Sequence, residues 1–182
     1  MLFDEREIIL KNGAKCILKS VDRGDAQAII EYLKKVSEET LFLLRNADEV
    51  NFTVEAEGQF LEEKRNNPRE IMMIAEVNGV LAGNCAIAAC GSMRRVYHRC
   101  SLAIALKKEY WNQGLGTAML EYALSLAKKI GYEQVELEVV EGNDSAKHLY
   151  EKAGFIEEGR NVRALKYDDG AYRDEIKMIK ML

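Results

Sequence analysis

The stretch that decides the fold is Tyr110-Trp111-Asn112-Gln113-Gly114-Leu115-Gly116-Thr117-Ala118. Before it, large and small side chains alternate over residues 100–106, which predicts a strand. After it, apolar residues recur at helical spacing as far as Ile130, and Gly131 is placed to end that helix. Two glycines between a strand and a helix start let the backbone approach a ligand closely. The free N–H groups and the dipole of the first turn favour an anion, so we predict that this loop binds a pyrophosphate.

Composition and charge limit the class of protein. The chain has 182 residues, of which 48% are hydrophobic and 31% are charged. These values are typical of soluble globular proteins, and we expect one domain over residues 1–182. The net charge of −4 argues against a broad nucleic-acid-binding surface. Arg94, Arg95 and Arg99 are either a local basic patch or solvated loop charges.

The sequence indicates neither a membrane span nor a signal peptide. No apolar run approaches the ~18 residues that a membrane helix needs. Residues 1–6 include Asp4 and Glu5, where a signal peptide would carry a basic region followed by an apolar core. The four cysteines form no Cys-x-x-Cys pair and have no histidine at zinc spacing; they are Cys16, Cys85, Cys90 and Cys100. Because they lie in apolar runs, we predict buried free thiols in a cytoplasmic protein without a metal site.

Three turn signals predict β-hairpins. Asn12-Gly13 and Asn78-Gly79 lie between strand-like runs and favour two-residue turns. Asp168-Asp169-Gly170 joins two further runs near the end of the chain. The strands predicted around these turns cover residues 6–10, 14–21, 71–77, 80–89, 155–167 and 172–181, and one more strand covers 134–140. The class is therefore α+β, with a mixed, mostly antiparallel twisted sheet.

Helical spacing predicts about four helices that flank the sheet. Asp22 or Asp25 caps the first helix, and the second follows Thr53 with Phe60 and Leu61 facing inward. The predicted helices cover about residues 26–36, 54–65, 116–130 and 145–153.

Three kinds of glycine loop compete for residues 110–118. A Walker A loop is excluded because Gly-Lys-Ser/Thr does not occur in the chain. A dinucleotide-binding fingerprint needs a third glycine or alanine where Met119 stands, and a parallel βαβ start instead of the surrounding hairpins. Gly114-x-Gly116 alone is a weak signal, so the loop has to be interpreted with the residues that follow it.

Three motifs in order resemble one family. They are Gly114-Leu115-Gly116-Thr117-Ala118-Met119-Leu120, then Val135-Glu136-Leu137-Glu138-Val139, then Asn143-x-x-Ala146-x-x-Leu149-Tyr150-Glu151-Lys152-x-Gly154-Phe155. Together they resemble the GCN5-related N-acetyltransferase (GNAT) family, specifically from about residue 99 to 160. The resemblance implies a V-shaped split between two central parallel strands, 100–106 and 134–140, where acetyl-CoA binds.

The resemblance also implies which residues bind the cofactor. The main chain of Ile104 and Leu106 would pair with the pantetheine arm like an added strand. Asn143 would contact the cofactor arm, cap the next helix, or do both. The backbone N–H groups that would bind the pyrophosphate belong to Gln113, Gly114, Leu115, Gly116 and Thr117. Trp111 departs from the family, which has Arg or Gln at this position, and puts a side-chain contact there in doubt.

The catalytic residues implied by the resemblance are a tyrosine and a carboxylate. Tyr150 would protonate the leaving thiolate as general acid, although its spacing also fits a core aromatic. A free alkyl amine has a pKa of about 10, so a base should receive its proton. Glu136 and Glu138 share one face of a strand and are the candidate bases, or else solvated charges; the rivals are Glu38, Glu39 and Glu55. Cys90 and Cys100 are not expected to be nucleophiles.

The resemblance implies transfer of an acetyl group from acetyl-CoA to a primary amine of a small molecule, protein or peptide in a ternary complex. The alternative is a non-catalytic acyl-CoA-binding or partner-binding module with the same fold. Residues 22–66 and 167–173 would wall the acceptor site, and the apolar segment 40–45 either packs in the core or covers the pocket. No nucleic-acid or membrane partner is expected, and a homodimer fits the habit of the family.

Overall fold

Eight strands and four α-helices follow one another in a computed structural model that describes all of residues 1–182. The strands are β1 Arg6–Ile9, β2 Lys15–Ser20, β3 Ile71–Val77, β4 Val80–Ala89, β5 Arg99–Leu106, β6 Gln134–Val140, β7 Ile156–Lys166 and β8 Tyr172–Met181. The helices are α1 Ala26–Glu39, α2 Val54–Asn66, α3 Leu115–Ile130 and α4 Asp144–Lys152. None of the helices combines the length and the hydrophobicity of a membrane-spanning segment.

The strands form one mixed sheet in the order β1-β2-β3-β4-β5-β6-β8-β7. Every neighbouring pair is antiparallel except β5 and β6, which are parallel. These two strands pair only over Arg99–Ser101 and Gln134–Glu136, at their amino-terminal ends. Beyond that point they separate, so the predicted V-shaped split between two central parallel strands is confirmed.

Two apolar cores hold helices against opposite faces of the sheet. The larger core contains Leu115, Met119 and Ala123 of α3, packed with Leu102 of β5 and Leu137 of β6. The smaller core joins residues of α1 and α2 to the other face of β3 and β4; it includes Ile29, Tyr32, Leu61, Ile74 and Leu81. Apolar residues of the strands thus point alternately into the two cores, which fixes the sheet between the helices.

The two Asn-Gly pairs form different turns. Asn78 and Gly79 both have positive φ, 51° and 78°, as in the two-residue type I′ turn that the sequence predicts. At the first hairpin the two-residue prediction is wrong. Only Gly13 has positive φ (84°), its N–H donates to the Leu10 carbonyl, and Leu10 pairs with Ala14. The loop is therefore three residues long, a type I turn followed by a left-handed glycine.

The helix starts agree with the sequence, with one inward residue misplaced. The Asp22 side chain accepts from the Gly24 N–H and caps a 3₁₀ turn that leads into α1. Thr53 accepts from the Ala56 N–H and caps α2. Leu61 is buried as predicted, but Phe60 is wrong: it is 40% exposed. Its ring lies 5.2 Å from the Lys64 ammonium on the outer face of the helix.

All four cysteines are free thiols, but one of them is not buried. Cys16, Cys85 and Cys100 lie in the larger core, whereas Cys90 is exposed. The prediction for Cys90 is wrong because β4 ends at Ala89 and the chain turns there into the 91–98 loop. Burial raises the pKa of Cys100 to about 12, so its thiol stays protonated at neutral pH, which disfavours a nucleophilic role.

Candidate active site

The glycine loop ends in a left-handed residue that starts helix α3. Gly114 has φ 87° and stands at the N-cap, and α3 begins at Leu115, one residue before the predicted start. No side chain caps this helix. The first N–H to bond within the helix is that of Ala118, which donates to the Gly114 carbonyl. The N–H groups before it in the first turn are thus left for solvent or a ligand. This geometry suits an anion at the helix N-terminus.

Hydrogen bonds within the chain hold the loop in place. The Gln113 amide donates to the Glu109 carbonyl at 2.7 Å, and the Lys11 N–H donates to the Gln113 carbonyl at 3.1 Å. The Trp111 indole Nε1–H donates to the Leu106 carbonyl at 3.0 Å. The side chain of Gln113 therefore turns back into the loop, and that of Leu115 is fully buried. Only their main chains remain to serve the predicted pyrophosphate contacts.

The edge of β5 that faces β6 is open beyond the parallel pairing. The carbonyl of His98 accepts from the Gln134 N–H, so residues of even number in β5 turn their main chains towards β6. Pairing with β6 ends at Ser101. The main-chain groups of Ile104 and the N–H of Leu106 consequently face the split without a strand partner, as an added extended chain requires.

A cavity of about 1340 Å³ occupies the split. It exceeds the roughly 300–1,000 Å³ of ordinary ligand pockets and suits a long ligand. Of the predicted site residues, the cavity brings together Ile104, Leu106, Gly114, Gly116, Thr117, Glu136, Glu138, Asn143 and Tyr150. Gln113 and Leu115 do not line it. Thus strand β5, the glycine loop and helix α4 surround one connected space.

Asn143 caps helix α4 from the cavity wall. Its side-chain oxygen accepts from the Ala146 N–H at 3.3 Å, which is the capping role predicted for it. The residue also lines the cavity, so its amide nitrogen is available to a ligand. A contact with the cofactor arm stays a prediction.

Tyr150 lies on α4, where its side chain belongs to the larger core and also lines the cavity. The residue is 6% exposed, its ring lies 5.8 Å from that of Phe155, and it lines the cavity. Burial raises the pKa of Tyr150 well above its usual value. The phenol is therefore fully protonated at neutral pH, the state that a general acid needs.

Glu136 is paired with Arg99, for which the sequence left open a local basic patch or a solvated loop charge. Arg99 of β5 donates to both carboxylate oxygens of Glu136, from Nη2 at 2.8 Å and also from Nε. Gln134 donates to the same carboxylate at 3.0 Å. The hydrogen bonds from Arg99 lower the pKa of Glu136. This pairing weakens Glu136 as a proton acceptor and makes it part of the joint between β5 and β6.

Glu138 lies on the same face of β6 and has no paired cation. It is exposed, lines the cavity, and accepts one hydrogen bond of 3.0 Å from the Asn161 amide. Lys177 of β8 stands opposite it in register and also lines the cavity. Sequence reasoning missed Arg99 and Lys177 as cavity-lining residues. The predicted strand began at residue 100 and left Arg99 in the loop, and no motif indicates that β8 inserts beside β6.

The rival carboxylates lie away from the cavity. Glu39 accepts from the Lys108 N–H at 2.6 Å, and Glu55 pairs with Arg23 on the exposed side of α2. Glu38 is exposed on α1 and, like the other two, does not line the cavity. Of the five candidate bases, only the two on β6 reach the space where transfer would occur.

The apolar segment between α1 and α2 reaches the cavity. Phe42, Leu43 and Leu44 line it, and Leu44 is 86% exposed. The hydroxyl of Tyr167, at the β7–β8 turn, donates to the Leu41 carbonyl at 2.7 Å. The two regions predicted to wall the acceptor site are therefore tied together beside the cavity.

Comparison with known proteins places the chain in a family. The model of the acetyltransferase (GNAT) family matches residues 27–155. The chain therefore belongs to the GNAT family of acetyltransferases, and the resemblance in its motifs is confirmed.

Individual relatives agree with this assignment. A Bacillus subtilis (strain 168) protein named as a candidate ribosomal protein bS18-alanine N-acetyltransferase is 32% identical over 110 residues, 60% of this chain and 68% of the relative. A Streptococcus pneumoniae GNAT acetyltransferase superposes with a TM-score of 0.87 at 33% identity, covering 92% and 99% of the two chains. A candidate acetyltransferase from Salmonella typhimurium, yncA, solved with its cofactor acetyl-CoA, shares the fold at TM-score 0.79 and 17% identity, covering 92% and 94%.

Proposed function

We propose that this protein transfers an acetyl group from acetyl-CoA directly to a primary amine within a ternary complex. One observation carries the proposal: the open main-chain edge of β5, the N-terminus of α3 and Tyr150 all face the same cavity. The N–H groups from Gln113 to Thr117 would bind the pyrophosphate, and Ile104 and Leu106 would hold the pantetheine arm. Asn143 would donate its side-chain amide to that arm.

The chemistry assigned to the protein is two proton transfers. The amine nitrogen forms a bond to the acetyl carbon, the carbon–sulfur bond breaks, and the sulfur leaves with both electrons of that bond. Glu138 takes the proton that the amine loses, directly or through water, because its carboxylate accepts one amide hydrogen bond and forms no salt bridge. Tyr150 gives its phenolic proton to the sulfur and recovers one from solvent.

The acceptor class we propose to test first is the α-amine of a protein or peptide N-terminus. It is suggested by the name of the B. subtilis relative and by the wide cavity, whose wall includes Glu138 and Glu175. An α-amine has a pKa of about 8, lower than that of a lysine side chain, and needs less help from a base. A weak carboxylate base is sufficient for such an acceptor.

Turnover by wild-type protein and by Tyr150→Phe tests the proposal. Acetylation of peptides with a free N-terminus, with a blocked N-terminus and with lysine alone is followed by thiol release and mass spectrometry. We expect wild type to modify free N-termini, and Tyr150→Phe to lose about 10²-fold in kcat or more with acetyl-CoA affinity preserved. Unchanged turnover of Tyr150→Phe across pH would remove the acid role. Tight acetyl-CoA binding without acetylation of any amine would favour the non-catalytic module.

A further inference from the structure

The indole of Trp111 joins the two parts of the site that hold one ligand. Its Nε1–H donates to the carbonyl of Leu106 at 3.0 Å. Leu106 is the last residue of β5, and Trp111 stands three residues before the left-handed Gly114 that starts α3. We propose that Trp111 is a positioning residue for acetyl-CoA, which fixes the pyrophosphate loop against the strand that receives the pantetheine arm. This inference rests on the proposed function.

This hydrogen bond controls the distance between the two places that would hold the cofactor, the glycine loop and the open edge of β5. A ligand held at two points gains affinity only when both points can be engaged together, and a preformed site avoids the cost of ordering the loop. The intervening residues 107–113 contain a short 3₁₀ turn and the positive-φ residue Asn112. Of the side chains in this segment, Trp111 is the one that hydrogen-bonds to β5.

The same bond decides which main-chain groups a ligand can use. The Leu106 carbonyl, which faces the split, is occupied by the indole. The Leu106 N–H and both main-chain groups of Ile104 are left towards the split. A ligand amide can therefore pair with the main chain of Ile104 and the N–H of Leu106, but not with the carbonyl of Leu106.

Exposure of the indole distinguishes positioning from simple packing. Trp111 is 37% exposed and lines the cavity, unlike the fully buried Leu115 and Met119 of the following helix. The loop is also held by Gln113 and Lys11. Removal of one hydrogen bond should loosen the loop without unfolding the domain.

Two substitutions at Trp111 separate the N–H group from the bulk of the ring. Trp111→Phe keeps an aromatic ring and removes the donor. Trp111→His loses the six-membered ring, but its Nε2–H lies at the same place on a five-membered ring as the indole N–H. Tyr97→Phe is the matched control, because Tyr97 is an exposed aromatic outside the cavity. All assays are run at about pH 8, where an ordinary imidazole is neutral.

The measurement is the dissociation constant and KM for acetyl-CoA, with kcat and the acceptor KM determined on the same preparations. Loss of one net hydrogen bond corresponds to about a three- to tenfold change. We expect Trp111→Phe to raise both acetyl-CoA constants by that factor, with kcat and the acceptor KM unchanged. Trp111→His should restore the acetyl-CoA constants, and Tyr97→Phe should match wild type.

The outcomes are distinguishable. Unchanged acetyl-CoA constants in Trp111→Phe would overturn the role of Trp111 and leave the proposed function intact. Equal weakening in Trp111→Phe and Trp111→His, or loss of the thermal unfolding transition in Trp111→Phe, would show that ring packing matters and would also overturn it. Failure of wild type to bind acetyl-CoA would overturn the proposed function and this inference with it.

Discussion

The hydroxyl of Tyr32 donates a hydrogen bond of 2.7 Å to the main-chain carbonyl of Ala105, and so ties helix α1 to strand β5. The same hydroxyl accepts from the Asn84 N–H of β4 at 3.2 Å. Tyr32 is 1% exposed, and burial strongly raises its pKa, so the phenol stays protonated. Ala105 lies between Ile104 and Leu106. A helix on one face of the sheet thus helps to fix the strand edge that opens into the cavity.

Removal of this hydroxyl should destabilise the fold. Tyr32→Phe leaves the half-buried Asn84 N–H and Ala105 carbonyl short of a partner, which costs about 1–3 kcal/mol. Urea unfolding of wild type and variant measures the difference. Tyr172→Phe serves as control, because Tyr172 is 42% exposed and should change stability little. Equal unfolding free energies for Tyr32→Phe and wild type would show that the bridge contributes nothing.

Two glycines at opposite ends of α3 allow strain to be separated from ligand binding. Gly114 and Gly131 have φ of 87° and 97°, and an added Cβ would meet no atom within 4 Å at either. Alanine at each position should cost about 1 kcal/mol of stability through the left-handed backbone. Only Gly114→Ala should also weaken the binding of acetyl-CoA, because it disturbs the glycine loop. Calorimetric titration of both variants tests this, and equal affinities would remove the loop from the cofactor site.

The Arg99–Glu136 pair should make stability depend on pH in the acid range. The pKa of Glu136 is lowered in the folded state, so its contribution is complete above the ordinary glutamate pKa of about 4.3. It is lost as the pH falls through the lower folded value. At pH 7 we expect Glu136→Gln to be less stable by about 1 kcal/mol.

That difference should shrink towards zero as the pH drops below about 4. Denaturant unfolding at a series of pH values measures it. Glu7→Gln removes the exposed pair with Lys15 and should show almost no difference at any pH. A Glu136→Gln deficit that persists at low pH would contradict an electrostatic origin.

The two carboxylates on β6 should differ in their effect on turnover. Glu138→Gln removes the unpaired candidate base and should lower kcat by about 10²-fold with acetyl-CoA affinity kept. Glu157→Gln is the control, because that carboxylate pairs with Lys147 on the exposed side of β7. Steady-state rates with a peptide acceptor decide it. A smaller loss in Glu138→Gln than in Glu136→Gln would reverse the assignment.

Local sequence patterns predicted the strands and helices, but they did not predict which distant segments pack together. The loop from Tyr110 to Ala118 lies between a strand and a helix as its glycines and periodicity indicate, and the hairpins follow their turn signals. The first Asn-Gly turn failed because its type depends on the pairing of Leu10 with Ala14, which the dipeptide does not determine. The inward orientation predicted for Phe60 was wrong because the weak amphipathicity of α2 does not define which face of the helix is buried.

The candidate site was also predicted only in part. Tyr150, Glu138 and the glycines of the loop line one cavity, and the motifs that carry the family resemblance pointed to them because each motif is short and continuous in sequence. Arg99 pairs with Glu136 because β5 runs parallel to β6. Lys177 stands opposite Glu138 in register because β8 inserts beside β6. Such contacts depend on strand order, and strand order between distant segments is not encoded in any short pattern. The hydrogen bond of Trp111 likewise depends on how the loop folds back over Leu106.

The most direct test of the account is a thermal-shift titration of the wild-type protein with acetyl-CoA, CoA and NAD. A ligand that binds only the folded state adds about 2.7 kcal/mol at 100 times its dissociation constant, which gives a clear shift. We predict stabilisation by acetyl-CoA and CoA and none by NAD. No shift at saturating acetyl-CoA, or an equal shift with NAD, would contradict the acetyl-CoA site on which the proposed function depends.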